Sequence, residues 1–380
     1  MSEDTARLHH LVGPAAAETL LAAFDGAPCH VRAGAADRFA EILSVRDVEH
    51  LVATATGAAE GWVGIVQGIV RRPPPAMQAA DGGLSMRAVY EAFQQGASIL
   101  LTRLHRRWPP VRALCTGLER DLTRRGVRLA KRLGANAYLS PPRGDGLQPH
   151  RDDHDVLVFQ IAGVKEWSVG TPADGPAAIT LEPGDVLYLR RGTEHHACAR
   201  GDGPSLHLTV GITPVVLGDV LSRLVAELDE VDTTVRGETP AELGERIAKA
   251  IEAHATPPTI ERLLSDLDRA FVGSLNLPPA SAGGGFTPPP PITRDTRVRR
   301  RLDVNCHVSR DGDEVVVTFP GDVSLRVASG ALAAVLAALE SDGARVRDLP
   351  GLADAAQVEL TEALVREGAL YVVGDREDDG

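Results

Sequence analysis

The sequence has few cysteines, and they lie far apart. There are four, Cys29, Cys115, Cys198 and Cys306, and none forms a CxxC pair. Disulfide scaffolds and structural zinc modules place their cysteines in closely spaced sets. The spacing therefore argues against both classes and favours a reducing compartment, so we expect a cytoplasmic protein.

Long apolar runs are also missing. No segment approaches the roughly 20 consecutive apolar residues that a membrane-spanning helix requires. The chain opens with the acidic stretch MSEDTARLHH and lacks the basic start and apolar core of a signal peptide. We therefore expect neither a membrane anchor nor a secretion signal.

Basic residues are fewer than acidic ones. The 380 residues include 40 Lys and Arg against 52 Asp and Glu, so the net charge is 40 − 52 = −12. This balance argues against nucleic acid as a partner and suits a basic protein or peptide. Apolar residues make up 43% of the chain, which excludes global disorder.

Changes in sequence texture divide the chain into four segments. Residues 1–214 begin with helical patterns and continue, from about 135 to 213, as short strand-like runs separated by Pro, Gly and Asp. Closely spaced short strands predict a jelly roll. Residues 215–277 contain three amphipathic helical stretches, and residues 278–295 form a Pro/Gly linker. Residues 296–380 mix strands and helices in a winged-helix-like pattern, so the fold class is α+β.

Three local patterns in the first segment give definite expectations. The apolar spacing of ADRFAEILSVRDVEHLVATA, residues 36–55, predicts one helix. WVGIVQGIV, residues 62–70, predicts one strand. Residues 109–133, after a diproline, predict a second long helix.

The C-terminal segment is acidic as well. From Thr296 onward it has ten Arg and sixteen Asp and Glu, a net charge of −6. A DNA-reading winged helix presents a basic face. We therefore interpret this segment as a protein-interaction module.

The stretch QPHRDDHDVLVFQ, residues 148–160, contains a candidate metal site. Positions i and i+2 of a strand face the same side, so His150 and Asp152 would point together. An imidazole and a carboxylate supply two of the three ligands in the 2-His-1-carboxylate set that binds non-haem Fe(II). By itself an HxD triplet is weak evidence, because it also fits a solvated strand end.

A third ligand is available in LEPGDVLYLRRGTEHHA, which contains His195 and His196. The spacings at both places match the two cupin motifs. In the second motif, seven residues separate two glycines, and two further residues separate the second glycine from the histidine. Gly184, Gly192 and His195 fit this spacing, which selects His195 over His196.

Together these stretches closely resemble the JmjC-type ribosomal oxygenases. The resemblance is carried by NAYLSPPRGDGLQPHRDDHDVLVFQIAGVKEWSVGTP, LEPGDVLYLRRGTEHHA and SLHLTVGI, and it is strongest over residues 135–211. It implies a double-stranded β-helix, the jelly-roll core of cupin and JmjC proteins. It also implies a helical dimerisation region followed by a C-terminal winged helix, with Fe(II), 2-oxoglutarate and O2 as cofactor and cosubstrates.

The resemblance also implies roles for individual residues. His150, Asp152 and His195 would be the catalytic iron ligands, and Lys165 would pair with the distal carboxylate of 2-oxoglutarate. A dicarboxylate that chelates a metal at one end needs a cation at the other. Asn136 and Tyr138 would line the pocket for cosubstrate and substrate, and Thr209 would line the barrel as a further residue that binds the cosubstrate. His207 would also line the barrel and is a candidate for substrate contact.

Residues beside the triad are candidates for substrate contact. Asp153 and Asp155 are expected to face outward or line the entrance. His154 is expected at the pocket rim and not as a fourth ligand, because this metal class keeps coordination positions open. Arg190 replaces a proline that is usual in cupins, which bears on the loop geometry. Cys198 is expected to be a small buried thiol and not a ligand.

The resulting functional expectation is an oxygenase that depends on Fe(II) and 2-oxoglutarate and hydroxylates a protein or peptide side chain. Arginine or histidine of a ribosomal protein is the leading substrate. Two alternatives remain open: hydroxylation of a natural-product precursor peptide, and a non-catalytic cupin sensor that regulates transcription through a winged helix. The amphipathic helices within 215–277 predict a homodimer.

Overall fold

The computed structural model describes residues 7–24, 26–55, 61–71, 77–170, 175–228, 237–276, 290–301, 304–340 and 343–373. The chain forms two compact units. The first comprises Met1–Val127 and Leu133–Pro214, and the second comprises Arg128–Arg132 and Val215–Gly380.

The first unit begins with short helices and edge strands. Its helices are α1 (Arg7–Val12), α2 (Pro14–Ala22), α3 (Ala36–Ala40), α4 (Val45–Ala53), α5 (Met86–Gln94) and α6 (Pro109–Arg124). Its first strands are β1 (Cys29–Arg32), β2 (Val63–Gln67), β3 (Ile69–Arg71) and β4 (Ser98–Leu101).

Eight further strands build the core of this unit. They are β5 (Gly134–Ser140), β6 (His150–Arg151), β7 (Asp155–Ala162), β8 (Val164–Val169), β9 (Ala177–Leu181), β10 (Asp185–Leu189), β11 (Glu194–Arg200) and β12 (Ser205–Ile212). Together with β1–β4 they form two antiparallel sheets, ordered β1-β10-β7-β12-β5-β4-β2-β3 and β6-β11-β8-β9. Because the chain passes repeatedly from one sheet to the other, the eight strands make the predicted jelly roll.

Apolar side chains from both sheets meet in one core. Val158 and Leu187 of the larger sheet pack with Trp167, Leu181 and Ala197 of the smaller sheet. Every second residue of β8 and β11 is buried, as expected for strands with one face on the core. This arrangement places the inward residues of the smaller sheet opposite the larger one.

Two of the sequence patterns are divided in the structure. Residues 36–55 form two helices, because the Ser44 hydroxyl accepts from the backbone N–H of Asp47 and starts α4 with a capping box. Residues 62–70 form the hairpin of β2 and β3, which turns at Gly68 with φ of 72°. The long helix predicted over 109–133 ends at Arg124, just before Gly126 with φ of 80°.

The second unit begins with the three helices predicted from their apolar spacing. They are α7 (Leu217–Glu227), α8 (Pro240–His254) and α9 (Pro257–Ser274). Thr239 caps α8 by accepting from the N–H of Glu242, and Pro240 occupies its first turn. None of the helices in the described part of the chain is long and apolar enough to cross a membrane.

The rest of this unit contains six strands and two helices among its described residues. They are β13 (Arg297–Arg300), β14 (His307–Asp311), β15 (Glu314–Phe319), β16 (Val323–Ala328), α10 (Leu332–Glu340), β17 (Ala344–Arg345), α11 (Asp354–Arg366) and β18 (Leu370–Val372). The sheets are ordered β17-β13-β18 and β14-β15-β16. The predicted linker, 278–295, lies mostly outside the described residues.

Candidate metal centre

The three predicted ligands meet at the edge of the smaller sheet. His150 on β6 lies directly opposite His195 on β11 in the antiparallel register, and Asp152 follows β6 immediately. Asp152 Oδ2 is 3.5 Å from His195 Nε2. One donor atom from each of the three residues lies within 4.8 Å of the others. The opposed strands thus bring residues 45 positions apart to one point.

Hydrogen bonds orient both imidazoles toward that point. His150 Nδ1 lies 2.9 Å from the carbonyl oxygen of Gln148, and His195 Nδ1 lies 3.0 Å from that of Thr193. A carbonyl oxygen only accepts, so each Nδ1 carries the proton and each Nε2 keeps a free lone pair. Histidine ligands are oriented by such contacts to their second nitrogen. Two neutral imidazoles and one carboxylate therefore fit a divalent ion of the non-haem iron type.

Burial differs across the triad. His195 is buried, whereas His150 and Asp152 are half-buried, so the donor set has an open side. Burial lowers the pKa of His195, and the neighbouring His150 lowers it further against the opposing effect of its Thr193 hydrogen bond. The neutral imidazole, which is the ligand form, is thereby favoured.

Lys165 lies deep between the two sheets. Its side chain is 2% exposed, and its Nζ donates to Ser140 Oγ at 3.0 Å and to His207 Nδ1 at 3.3 Å. Burial lowers the pKa of Lys165 to about 7. Since Lys165 is on β8, next to β11 in the same sheet, the cation is held at a fixed register from His195.

Aromatic rings form the wall beside Lys165. Tyr138 stacks on His207 with ring centroids 4.9 Å apart, and Trp167 meets His207 edge-on at 5.5 Å. Burial, with a contribution from Lys165, lowers the pKa of His207 well below its usual value. Burial and then the charge of Asp152 raise the pKa of Tyr138 to about 12. Both rings are therefore neutral near pH 7.

Asn136 and Thr209 lie across from each other on β5 and β12 and are both half-buried. The Oδ1 atom of Asn136 accepts from the backbone N–H of Arg103 at 3.0 Å, and the hydroxyl of Thr209 donates to the Asn136 carbonyl at 3.3 Å. Asn136, Tyr138, Thr209 and His207 thus belong to adjoining strands of the larger sheet. Their roles toward a cosubstrate stay predictions.

Asp153 and His154 lie beyond the short strand β6. The Asp153 side chain is 96% exposed, and His154 Nδ1 donates to its carboxylate at 2.8 Å. The His154 ring packs against Gly211 of β12, where an added Cβ would come within 2.7 Å of it. The strand does not continue regularly to His154, and the donor set of the triad does not include it.

The expectation for Asp155 is wrong. Its side chain is 0% exposed and lies in the interior at the start of β7. The Tyr188 hydroxyl donates to it at 3.1 Å, and Arg191 donates through its backbone N–H at 2.8 Å and its guanidinium at 3.2 Å. A buried carboxylate needs such partners. Asp155 is therefore a structural anchor and does not line the entrance.

The turn that carries Arg190 is regular despite the missing proline. Thr193 N–H donates to the Arg190 carbonyl at 3.1 Å, and Gly192 has φ of 79°. Gly192 N–H then donates to the carbonyl of Asp152 at 2.8 Å. This bond fixes the turn against the metal-binding segment, and the Arg190 side chain is exposed.

Two residues of the interior were not predicted, namely Ser140, which accepts from Lys165, and Trp167, which packs on His207. The strand period of two contains the signal for both. Ser140 follows Asn136 and Tyr138 on the same face of β5, and Trp167 follows Lys165 on β8.

Comparisons with known proteins agree with this geometry. A family model described as JmjC domain matches residues 119–179 and 173–219, the part that holds the triad and Lys165. The jelly roll and the 2-His-1-carboxylate donor set thus lie in the region that this model matches. Residues 119–219 of the chain are similar to the JmjC domain family, and the resemblance to ribosomal oxygenases that the sequence motifs predict is confirmed.

Curated relatives match part of the chain. A protein of Branchiostoma floridae, "Bifunctional lysine-specific demethylase and histidyl-hydroxylase NO66", is 34% identical over 145 residues, which cover 38% of this chain and 22% of that protein. "Ribosomal oxygenase 2" of Rattus norvegicus is 30% identical over 190 residues, 40% of each chain. The chain thus spans less than half the length of these relatives.

Solved structures resemble most of the chain. The Escherichia coli ribosomal oxygenase YcfD has 18% sequence identity and a TM-score of 0.53, with 92% of this chain and 95% of that chain covered. A second structure of that protein, in complex with cobalt and 2-oxoglutarate, has a TM-score of 0.52 and 18% identity. At this identity the likeness shows a shared fold.

Proposed function

We propose that this chain is an oxygenase dependent on Fe(II) and 2-oxoglutarate that hydroxylates a side chain of a protein. One observation carries the proposal. Three donor atoms of His150, Asp152 and His195 converge within 4.8 Å, and the buried cation of Lys165 lies on the neighbouring strand of the same sheet. A metal and a cation together match a chelating dicarboxylate.

In this proposal the three ligands hold Fe(II) through two imidazole Nε2 atoms and one carboxylate. Bound iron supplies the activation of O2, with 2-oxoglutarate as the co-reductant, that hydroxylation of a C–H bond requires. The protein orients the two imidazoles through their Nδ1 contacts, places Lys165 for the distal carboxylate, and surrounds the cosubstrate with Tyr138 and other groups that exclude water.

Relatives support the same assignment. One is named a histidyl-hydroxylase, another a ribosomal oxygenase, and YcfD was solved with cobalt and 2-oxoglutarate. A histidine or arginine of a ribosomal protein is therefore the leading substrate. The net charge of −12 suits such basic proteins.

Substrate contact is assigned to the rim. Exposed Asp153 and half-buried His154 directly follow the proposed ligand Asp152 in the sequence. His207 is only 3% exposed and contacts Lys165, so we place it at the cosubstrate end and not against the substrate. Asp155 is not assigned to substrate contact, because its side chain is buried.

The test is succinate formation from 2-oxoglutarate by the purified chain with Fe(II), ascorbate and O2. Asp152→Ala should lower the rate by more than about 100-fold, since it removes a metal ligand outright. Asp153→Ala removes an adjacent, exposed carboxylate and should keep the rate. An absence of turnover together with an absence of iron and 2-oxoglutarate binding would refute the proposal in favour of a cupin sensor.

The substrate is tested separately by mass spectrometry. Ribosomal proteins incubated with the active enzyme should contain a peptide heavier by one oxygen atom, and the Asp152→Ala protein should leave that peptide unmodified. Iron-dependent succinate formation without any modified ribosomal peptide would exclude the ribosomal substrate and favour a natural-product precursor peptide.

We also propose that α7 and α8 contribute to a homodimer contact. Leu217, Leu221 and Val225 follow each other at intervals of four residues along α7 and are 73%, 39% and 47% exposed. Ile247 on α8 is 52% exposed. Residues at i, i+4 and i+8 share one helix face, so the side chains of Leu217, Leu221 and Val225 form an apolar stripe. Association of two copies of the chain would cover this stripe.

Two further parts of the proposal concern the C-terminal region and the compartment. Residues 296–380 are proposed as a winged-helix-like module that binds protein, which their net charge of −6 supports. Cys29, Cys115, Cys198 and Cys306 all lie among the described residues and form no disulfide, which supports a reducing cytoplasm.

A further inference from the structure

Strand β11 has a second set of potential ligands on its other face. His195, Ala197 and Ala199 are buried toward the barrel interior, whereas His196 and Cys198 alternate with them and are half-buried on the outside. An imidazole and a thiol two residues apart on a strand point the same way. Cys198 was expected to be a buried structural thiol, and the structure instead places it beside His196.

A backbone pairing brings a carboxylate to the same place. Asp145 forms an isolated antiparallel bridge with Cys198. The flanking hydrogen bonds run from Gly146 N–H to the Ala197 carbonyl and from Ala199 N–H to the Gly144 carbonyl, each at 3.0 Å. This is the non-hydrogen-bonded type of pair, in which the two backbones approach most closely and the side chains face each other.

Glycines on both sides of Asp145 permit this approach. A Cβ on Gly146 would lie 2.5 Å from the Ala197 carbonyl oxygen, and a Cβ on Gly144 would lie 2.8 Å from the Pro141 ring. Neither contact is tolerated between real atoms. The segment PPRGDG, residues 141–146, therefore places Asp145 next to β11. Its backbone comes so close to its neighbours that only glycine fits at positions 144 and 146.

The three side chains form a compact donor cluster. Cys198 Sγ lies 3.2 Å from Asp145 Oδ1, 3.7 Å from His196 Nε2 and 3.9 Å from His196 Nδ1. One donor atom of each residue lies within 4.8 Å of the others. One sulfur, one nitrogen and one oxygen are the donors that zinc binds in proteins.

We propose that Asp145, His196 and Cys198 bind a divalent metal ion of the zinc type. Three protein ligands leave the fourth tetrahedral position for water. On binding, the thiol proton goes to solvent and the thiolate, imidazole and carboxylate coordinate the ion. The nearby cation Arg200 forms an ion pair with Glu166, which is the cross-strand neighbour of Cys198.

The two candidate metal sites share no residue. The triad donor His195 points into the barrel, while His196 points out of the same strand. An ion on the outer face would clamp the 141–146 segment to β11, and β11 positions His195. The second site is thus proposed to stabilise the strand that supplies a triad ligand.

Cobalt distinguishes the two sites. Co²⁺ bound by a thiolate gives an intense near-ultraviolet sulfur-to-cobalt charge-transfer band, which a donor set of two imidazoles and a carboxylate does not give. We expect the full chain to bind two equivalents of Co²⁺ and to show this band. Asp152→Ala should weaken cobalt binding at the triad and keep the band, whereas Cys198→Ser should abolish the band and keep the triad equivalent.

Cys29→Ser is the matched control, because Cys29 is also a half-buried free thiol but belongs to neither donor cluster. It should keep the band. Asp145→Asn, at an exposed position, should weaken the second equivalent without altering the fold, which far-ultraviolet circular dichroism checks. A full-length chain that binds Co²⁺ without the band, or a band that survives in Cys198→Ser, would overturn the proposal.

A zinc titration gives an independent readout. Zn²⁺ should raise the midpoint of thermal unfolding of Asp152→Ala, because an ion that binds only the folded state stabilises it. The rise should be lost in the double variant Asp152→Ala/Cys198→Ser. An equal rise in both proteins would contradict the proposed site.

Discussion

Lys165 directs its ammonium group at a neutral ring, since its Nζ lies 3.3 Å from His207 Nδ1. Ser140 supplies the other contact at 3.0 Å. In the described part of the chain Lys165 forms no ion pair with a carboxylate. The cation is therefore buried without a compensating charge, and a bound dicarboxylate would supply one.

This arrangement predicts how 2-oxoglutarate affinity depends on pH. Because burial lowers the pKa of Lys165 to about 7, the free protein loses this positive charge above about pH 7. The bound anion favours the charged form and raises that pKa, so binding above pH 7 requires uptake of a proton. The Kd for 2-oxoglutarate should therefore be flat below about pH 7 and rise by about tenfold per pH unit above it. Calorimetry with Mn²⁺ in place of iron measures it.

Lys165→Met is the control for that pH dependence. It should raise the Kd below pH 7 by roughly 10- to 100-fold, the strength of a charge-assisted hydrogen bond, and remove the rise above it. A wild-type Kd that stays constant from about pH 6 to about pH 9 would show that Lys165 is not the partner of the cosubstrate.

Substitution of Asp155 should lower the stability of the fold, whereas substitution of Asp153 should not. Asp155→Ala leaves Arg191 and the Tyr188 hydroxyl without their carboxylate, and it should lower the free energy of unfolding by about 3–5 kcal/mol. Asp153→Ala, at a 96% exposed position, should leave it unchanged. Urea unfolding measures both, and similar values for the two variants would contradict the structural role of Asp155.

The apolar stripe on α7 predicts the oligomeric state. Leu221→Asp places a charge in the middle of the stripe, and the proposed dimer should dissociate to monomers because burying an unpaired carboxylate is unfavourable. Light scattering after gel filtration measures the mass. Leu336→Asp, at a 37% exposed apolar position on α10, should remain dimeric. Dissociation of both variants, or of neither, would argue against this contact.

Alanine substitutions at Gly163 and Gly201 distinguish the cost of backbone strain from the cost of steric overlap. Both have positive φ, 63° and 85°, so an alanine at either costs about 1–2 kcal/mol. A Cβ at Gly163 would also lie 2.2 Å from the Pro204 carbonyl oxygen, whereas Gly201 has open space. Gly163→Ala should therefore be clearly less stable than Gly201→Ala in thermal unfolding. Because Gly163 joins β7 to β8, Gly163→Ala should also weaken the binding of 2-oxoglutarate at Lys165.

The sequence predicts which three side chains the structure brings together, because that information is local. His150 and Asp152 are separated by one residue, and the spacing of two glycines identifies His195. Strand β11 itself carries little sequence signal, since its inward residues after His195 are the alanines Ala197 and Ala199.

Features that depend on distant residues could not be read from local patterns. The burial of Asp155 depends on Tyr188 and Arg191, which are 33 and 36 positions away. The environment of Cys198 depends on Asp145, 53 positions away, through a single bridge. A polar residue beside a strand was therefore assigned to the surface, although its partners come from other strands.

The triad histidines and Lys165 all lie on the β6-β11-β8-β9 sheet, whereas Asn136, Tyr138 and Thr209 lie on the larger sheet. The proposed metal ligands and cation thus lie on one sheet, and three of the other residues predicted to line the pocket lie on the opposite sheet. The pairing of three adjacent strands sets the spacing from metal to cation, and no substitution on β5 or β12 changes that pairing. If the proposed function holds, natural divergence or directed evolution can reshape the larger-sheet wall of the barrel while the opposite wall keeps the spacing of metal and cation.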